Sequence, residues 1–265
     1  MKLRFLTLLS IGILGIGCSK KLYTKENTVY KDKAAALADT IKNPPTMRLR
    51  NSDSLYLTDH WLGTSNFNLR KPNMVVIHHT AQNSCDQTFR TFRMESTQVS
   101  AHYVICRDGV IQHMLNDYLR AWHAGVGTWG NITDVNSTSI GIELDNNGSE
   151  PFSDNQINSL IKLLGYLKKT YNIPNANFIG HSDVAPGRKV DPSAYFPWQK
   201  LAYAGFGYWY SDTTGVTVPD GFNALDALRI IGYDVKDSTK TISAFKLHFE
   251  HKIIPETTLT KKKKK

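Results

Sequence analysis

The feature that most constrains this chain is an apolar run, residues 74–77, followed directly by His78 and His79. The run is rich in β-branched residues and begins after Pro72, which predicts a β-strand. Because both faces of this strand are apolar, we expect it in the middle of a sheet that is covered on both sides. The two histidines then lie at the end of the strand, at the sheet edge where α/β proteins usually build their sites.

A second feature is the loop at residues 180–192, which carries His181 and Asp191 near its two ends. A Pro-Gly dipeptide at 186–187 is a strong turn signal, so the loop can fold back and bring its ends together. Lys189 precedes Asp191 by two positions, and in an extended segment both side chains project to the same side. This loop can therefore supply two metal ligands and a fixed positive charge.

Further strands and one long helix complete an α/β pattern. Residues 101–106 and 110–115 are predicted strands joined by an Asp-Gly hairpin turn. The strongest helix signal spans residues 153–171, where Ser153 and Gln156 form a capping box before an amphipathic stretch.

The strand predicted at residues 139–145 has two unlike faces. Its apolar face consists of Ile140, Ile142 and Leu144. Gly141 and Glu143 share the opposite face. A glycine beside a carboxylate on such a strand indicates that another group approaches closely there.

The net charge of +9 belongs mostly to the ends of the chain. The lysine run at 261–265 carries five of these charges, and Lys2 and Arg4 carry two more, which leaves +2 for the rest. This balance gives little support to nucleic-acid binding. A hydrophobic content of 41% is sufficient for a core, and 265 residues suit one large domain or a medium domain with a small one.

The N-terminus has the pattern of an export signal. A basic start precedes the apolar run at residues 6–17, whose 12 residues are too few to span a bilayer. The run ends before Cys18 and resembles a bacterial lipoprotein processing site, although Gly15 stands where a leucine-like residue is usual. We predict that residues 1–17 are a signal peptide and that Cys18 carries a lipid anchor. Ordinary cleavage nearby and a retained segment are the alternatives.

Composition divides the remaining chain into four parts. Residues 18–54 are polar and rich in lysine, which predicts a tether and N-terminal arm. A compact domain is expected at 55–212. Residues 213–255 predict two amphipathic helices, too short a segment for a large core, and 256–265 form a basic tail that is predicted to be disordered.

Cys85 and Cys106 leave two interpretations open. In an exported protein they can form a disulfide, but the sequence does not show that their backbones come close enough. Cys106 also suits a small buried hydrophobic position in its strand.

Histidines and carboxylates at these strand ends can form a metal site. One of the two adjacent histidines can join His181 and Asp191 as a ligand. Two histidines and one carboxylate leave the fourth position of a tetrahedral zinc open, which is typical of catalytic zinc. Glu143 can then accept a proton, and Lys189 can stabilise an oxyanion. A metal site, a proton acceptor and a cation together are the groups that hydrolysis of an amide requires.

Each of these residues also has an ordinary structural explanation. Either histidine can simply be the polar end of a strand. Glu143 can form a buried ion pair with Arg188 or Lys189. Asp191 precedes Pro192 and is a good turn starter.

Five motifs occur in order along the chain, at residues 76–81, 100–103, 121–125, 139–144 and 180–192. Together they resemble the motifs of the zinc-dependent N-acetylmuramoyl-L-alanine amidases of type 2. That family is related to phage lysozyme-like amidases and animal peptidoglycan-recognition proteins. The resemblance covers roughly residues 60–210. The segment at 196–201 is also similar to the outer-membrane lipoprotein amidases of the family.

The resemblance implies zinc as the cofactor and a role for each residue of the site. His78, His181 and Asp191 correspond to the zinc ligands, the third being cysteine in the phage and animal branches. Glu143 corresponds to the catalytic carboxylate, and Lys189 to the transition-state cation of the bacterial branch. Cleft-lining motifs imply substrate contacts for His102, Trp122, His123 and Asn146. Packing beneath the cleft is an equal alternative for Trp122.

The implied fold is a mixed central β-sheet flanked by helices, with a small C-terminal helical module. Residues 213–255 are weakly similar to a peptidoglycan-binding three-helix module, although two helices fit better than three. His248 and His251 are predicted to lie on a helix surface.

The implied protein is a lipoprotein of the outer membrane that faces the periplasm. It would cleave the bond between the lactyl group of N-acetylmuramic acid and L-alanine in peptidoglycan. One alternative is a module that recognises muropeptides without cleavage, but such a module has no need of Glu143, Lys189 and three ligands. A glycosidase would use paired carboxylates and no metal.

Overall fold

The computed structural model describes residues 22–42 and 69–251. The chain divides into two compact units, Met1–Ser65 and Asn66–Lys265. In the first unit the structure describes one helix, α1 (Thr24–Lys42), none of whose residues is buried. The predicted signal peptide, Cys18 and the basic tail at 256–265 lie outside the described residues. Within the described ranges, no helix has the length and apolar character that crossing a membrane requires.

Five strands in the second unit form one mixed sheet. They are β1 (Met74–His79), β2 (Tyr103–Ile105), β3 (Ile111–His113), β4 (Ser139–Leu144) and β5 (Phe178–Gly180). Their order across the sheet is β3-β2-β4-β1-β5. β1 is parallel to β4 and β5, β2 is parallel to β4, and β3 is antiparallel to β2. The strand with two apolar faces therefore lies inside the sheet, as predicted.

Helices cover both faces of this sheet, which confirms the predicted fold class. The helices of the second unit are α2 (Cys85–Arg93), α3 (Val135–Thr138), α4 (Asp154–Tyr171), α5 (His181–Val184), α6 (Trp198–Tyr203), α7 (Ala224–Ile231) and α8 (Ser238–Glu250), with 3₁₀ turns at Glu95–Thr97 and Asn175–Asn177. Val75 and Ile77 of β1 pack in one core cluster with the apolar face of α4. Met74 and Val76 pack in a second cluster with residues of α3 and α5. This alternation follows from the two-residue period of a strand.

The N-terminus of α4 is capped by Ser153 alone. Its Oγ accepts a hydrogen bond from the backbone N–H of Gln156 at 3.1 Å, as predicted. A full capping box would also need a hydrogen bond from the backbone N–H of Ser153 to the side chain of Gln156, and that part of the prediction is wrong. The side chain of Gln156 is buried instead, and its Nε2 donates to the carbonyl oxygens of Ile105 and Asp145. Gln156 therefore ties α4 to the ends of β2 and β4.

The sheet register assembles the candidate site at one edge. His78 pairs with Glu143 across β1 and β4. On the other side of β1, strand β5 ends at Gly180, and His181 follows immediately as the first residue of α5. Parallel strands end at the same edge of a sheet, so His78, Glu143 and His181 are brought close together.

A disulfide joins Cys85 and Cys106, whose Cα atoms are 5.6 Å apart. Cys85 is the first residue of α2, and Cys106 follows the last residue of β2. The bond therefore ties α2 to the sheet and decides between the two interpretations that the sequence left open.

Serine in place of both cysteines is expected to lower the free energy of unfolding by about 3 kcal/mol. The reason is that the bond joins residues 21 positions apart and restricts the unfolded chain. The folded variant should retain its function, because neither cysteine belongs to the candidate site. Urea unfolding of the variant and of the oxidised and reduced wild type measures the effect. Equal midpoints for all three would show that the bond contributes no stability.

Candidate metal centre

His78, His181 and Asp191 bring three potential ligand atoms together. The Nδ1 atoms of His78 and His181 are 2.9 Å apart, and Oδ2 of Asp191 lies 3.0 Å from each of them. All three residues are buried, and their donor atoms could hold one metal ion. Two imidazoles and one carboxylate that converge on one point fit the donor set of a catalytic zinc site.

The two adjacent histidines of β1 face opposite sides of the strand. Nδ1 of His79 accepts a hydrogen bond from the backbone N–H of Ser193 at 3.1 Å. The other ring nitrogen of His79, Nε2, lies against Gly148, where an added Cβ would be only 2.7 Å from it. The structure thus gathers His78, and not His79, with the other two ligands, a choice that periodicity alone left open.

The ring of His181 is oriented by a backbone carbonyl. Its Nε2 lies 3.0 Å from the carbonyl oxygen of Ala124. Because a carbonyl oxygen can only accept, Nε2 must carry the proton, which leaves the Nδ1 lone pair for a metal. The guanidinium of Arg188 donates to the same carbonyl at 2.7 Å.

The ring of His78 is oriented by a chain of buried side chains. Its Nε2 lies 3.1 Å from Nδ1 of His123, and Nε2 of His123 lies 3.1 Å from Oγ of Ser139. The Ser139 hydroxyl donates to the carbonyl oxygen of Val135 at 2.5 Å. Ser139 therefore accepts from His123, which in turn accepts from Nε2 of His78. This proton arrangement leaves Nδ1 of His78 for a metal.

The ring of His123 occupies the space that Gly141 leaves open on β4. A Cβ at position 141 would clash with Cγ of His123, so the close approach predicted from this glycine is confirmed. Burial, together with the neighbouring His78 and His102, holds the pKa of His123 well below its ordinary value. The buried, neutral ring supports His78 from behind. The substrate contact predicted for His123 stays a prediction.

Alanine in place of Gly141 is expected to weaken metal binding by about 10- to 100-fold, the usual cost of losing an outer partner of a ligand histidine. The added methyl group would displace the ring of His123 and break its contact with His78. The matched control is Gly165→Ala in α4, where a Cβ meets only Cζ of Phe206 at 3.9 Å. Chelator competition measures both affinities. Equal affinities in the two variants would show that His123 does not support His78.

The protonation states of the centre suit cation binding. Burial raises the pKa of Asp191, but interactions with the neighbouring His181 and His78 outweigh this effect and hold the pKa well below its ordinary value. Burial and the neighbouring His181 lower the pKa of His78 to about 4. At neutral pH, Asp191 is therefore ionised and His78 is neutral, the forms in which each can bind a metal ion.

Glu143 lies beside the three ligands and is not engaged by them. Its Oε2 is buried and has no hydrogen-bond partner among the described residues. Burial and the charge of Asp191 raise the pKa of Glu143 to about 8, while Lys189 acts in the opposite direction. In the described part of the chain, Glu143 forms no ion pair with Arg188 or Lys189, the alternative considered above. A buried carboxylate oxygen without a partner is typical of a functional site.

The other predicted substrate contacts have different surroundings. His102 is fully buried, accepts a hydrogen bond from the N–H of Gly141 and faces the carbonyl oxygen of Leu119. Asn146 is also buried, and its side chain bonds to the backbone of the turn that follows it. Both side chains bond to the backbone of the loops around the site, and their predicted substrate contacts stay predictions. Trp122 is 44% exposed, so it does not pack fully beneath the cleft and keeps its proposed role.

The fold and these side chains define a type 2 N-acetylmuramoyl-L-alanine amidase. Residues 68–194 match the sequence profile of the family described as N-acetylmuramoyl-L-alanine amidase. The chain belongs to this family.

Two named amidases are similar to this chain in sequence over different shares of its length. N-acetylmuramoyl-L-alanine amidase AmiD of Escherichia coli K12 is 36% identical over 208 residues, which are 66% of this chain and 74% of the relative. The 1,6-anhydro-N-acetylmuramyl-L-alanine amidase AmpD of Haemophilus influenzae is 41% identical over 104 residues, 39% of this chain and 56% of the relative.

Two solved structures of relatives contain muropeptides. Escherichia coli AmiD in complex with the substrate anhydro-N-acetylmuramic acid-L-Ala-D-gamma-Glu-L-Lys has a TM-score of 0.62 and 32% identity, over 71% of this chain and 84% of that chain. AmpDh3 of Pseudomonas aeruginosa in complex with anhydromuramic pentapeptide has a TM-score of 0.62 and 28% identity, over 75% and 91% of the two chains.

Proposed function

We propose that this chain hydrolyses the amide between N-acetylmuramic acid and L-alanine in peptidoglycan or its fragments. The observation that carries the proposal is the convergence of three ligand atoms within 3.0 Å of one another, next to Glu143, whose buried Oε2 has no hydrogen-bond partner among the described residues. The names of AmiD and AmpD describe amidases of this bond. The AmiD complex holds an anhydromuramoyl peptide as its substrate, and we take muropeptides of this class as substrates here.

Zinc is the metal that fits the donor set of His78, His181 and Asp191. These three ligands leave one coordination position for water or substrate. When bound, zinc would act as a Lewis acid that lowers the pKa of water and polarises a carbonyl group. The contribution of this chain is to hold both imidazoles in the tautomer that presents Nδ1, through Ala124 and His123.

Glu143 and Lys189 are assigned to the chemistry and not to metal binding. In its ionised form, which is populated as the pH rises towards the pKa of about 8, Glu143 can accept a proton from the attacking water at the unpartnered Oε2 and deliver it to the leaving amine of L-alanine. The positive charge of Lys189 already acts on Glu143 and on His78. We assign Lys189 to the negative charge that develops on the carbonyl oxygen during attack.

Recognition of muropeptides without cleavage is the alternative function. Binding alone requires a cleft, to which Trp122 contributes an exposed ring. It does not require a buried carboxylate oxygen without a partner, which lowers the stability of the fold. Hydrolysis accounts for Glu143, and recognition does not.

We further propose that the protein acts outside the cytoplasm, anchored to the outer membrane through a lipid on Cys18 and facing the periplasm. The basic start and the apolar run at 6–17 support export. The disulfide described above suits an oxidising compartment. Residues 18–54 would then serve as the tether, and the helices within 213–255 as a second contact with peptidoglycan.

The test is incubation of the purified protein, lacking residues 1–17, with anhydromuropeptides and with intact peptidoglycan, in the presence and absence of a chelator. New L-alanine amino termini are expected, which disappear on chelation and return when zinc is added. Amino termini that persist without zinc would contradict the metal mechanism. New reducing ends would indicate a glycosidase, and binding without either product would favour recognition alone.

A further inference from the structure

Asp183, two positions after the ligand His181, is a fully buried carboxylate outside the metal centre. Its Oδ2 accepts a hydrogen bond from the backbone N–H of Gly180 at 2.8 Å. The same oxygen lies 2.7 Å from Nδ1 of His248, and Oδ1 accepts from the hydroxyl of Tyr233 at 2.6 Å. His248 belongs to α8 and Tyr233 follows α7, so two of the three partners come from the C-terminal helices.

Aromatic packing encloses this network. The ring of His248 stacks on Trp198 of α6, with centroids 4.0 Å apart and an interplanar angle of 13°. The ring of Tyr233 meets Trp129 edge-on at 5.1 Å. His248 is buried, so its predicted position on a helix surface is wrong.

Two more contacts hold the metal-binding loop, one within the loop and one with α8. The backbone N–H of Ser182 in α5 donates to the carbonyl oxygen of Asp191 at 2.8 Å, which joins the two ligands of the loop through α5. At the turn of the loop, Gly187 has a φ of +74°, and a Cβ there would clash with the side chain of Lys240 in α8. The loop is therefore packed against α8 along its outer side.

We infer that the two C-terminal helices hold the metal-binding loop in place, with Tyr233 and His248 as positioning residues for His181 and Asp191. α5 is a single turn of four residues, too short to be stable alone, so its position depends on the groups that its side chains contact. Removal of a partner leaves the buried carboxylate of Asp183 incompletely hydrogen-bonded, which is costly. The helices thereby gain a role beyond the peptidoglycan contact proposed above.

The test compares zinc affinities of full-length variants by chelator competition. Tyr233→Phe removes one hydrogen bond to Asp183, and His248→Phe removes another while it keeps an aromatic ring against Trp198. Each is expected to weaken zinc binding by about 10-fold, the lower end of the usual cost of losing an outer partner. His248→Asn keeps an N–H donor near the position of Nδ1 and is expected to bind zinc almost as tightly as the wild type.

Leu225→Ala is the matched control for general loosening of the helices. Leu225 packs against the C-terminal core cluster and gives no hydrogen bond to Asp183. We expect this variant to unfold at lower urea concentration and to keep its zinc affinity. Cobalt substitution supplies a second measurement, since the visible absorption bands should shift in Tyr233→Phe and not in Leu225→Ala.

The inference rests on the proposed zinc site, and the outcomes separate the two. A wild type that binds no zinc overturns the proposed function and the inference together. A wild type that binds zinc no better than Tyr233→Phe and His248→Phe overturns the inference alone. Equal weakening in Leu225→Ala also overturns it, because stability and not positioning would then explain the effect.

Discussion

Alanine in place of His78 is expected to abolish zinc binding and hydrolysis together, while alanine in place of the adjacent His79 leaves zinc bound. His78 supplies one of the three ligand atoms that the described residues bring together, and its Nδ1 lies within 3.0 Å of the other two. The loss of affinity should exceed the roughly 100-fold cost of removing an outer partner, because a direct ligand is removed. Zinc content after dialysis and release of L-alanine amino termini measure the two effects.

His79→Ala is a close control because it removes the same side chain from the neighbouring position of the same strand. It deletes one hydrogen bond, from Ser193 to Nδ1, and is expected to lower the free energy of unfolding by about 1 kcal/mol. Zinc retained by the His78 variant, or lost from a folded His79 variant, would mean that the ligand had been assigned to the wrong histidine.

Alanine in place of Glu143 is expected to keep zinc and to lower kcat by about 100- to 10,000-fold, the usual contribution of a general base. Its Oε2 has no partner among the described residues, so its removal takes no ligand from the metal. Glutamine at this position fills the same space without accepting a proton and should be equally inactive. The measurements are zinc content and turnover of an anhydromuropeptide at saturating concentration.

Asp145→Asn is the matched control for Glu143. Asp145 lies two positions after Glu143, directly after the end of β4; it is buried and pairs with Arg107 at 3.3 Å. We expect this variant to keep near-normal turnover. Zinc loss in Glu143→Ala would contradict the assigned role, as would full activity of Glu143→Gln.

The sheet and the metal-binding loop could be predicted because their signals are local. Strand β1 is apolar on both faces, and both faces are buried in the structure. The chain turns at Gly187, whose positive φ agrees with the predicted Pro-Gly turn. These features depend on neighbouring residues and not on distant contacts.

Side-chain direction within the motifs could not be predicted in the same way. Cleft motifs contain His102, His123 and Asn146. A sequence motif shows which residues occur together, but it does not show which of their side chains are buried in the folded protein. Gly141 did indicate a close neighbour, yet nothing in the sequence identified that neighbour as His123. Only the folded backbone shows that the missing Cβ makes room for this ring.

The contacts of Asp183 were also beyond sequence reasoning. Tyr233 and His248 lie 50 and 65 positions away from it. A lone aspartate in a short helical turn is ordinary, and so is a histidine on an amphipathic helix. Their pairing becomes visible only when α8 is placed against α5.

The parallel register of β1 and β4 makes the site sensitive to chain length. One residue inserted into either strand would turn every later side chain of that strand to the opposite face, so that His78 and Glu143 would point to different sides. The segment at residues 211–221 is exposed throughout and carries no residue of the site, so extra residues there should be tolerated. Insertions in this exposed segment should therefore be neutral, whereas β1 and β4 must each keep their number of residues for the site to form.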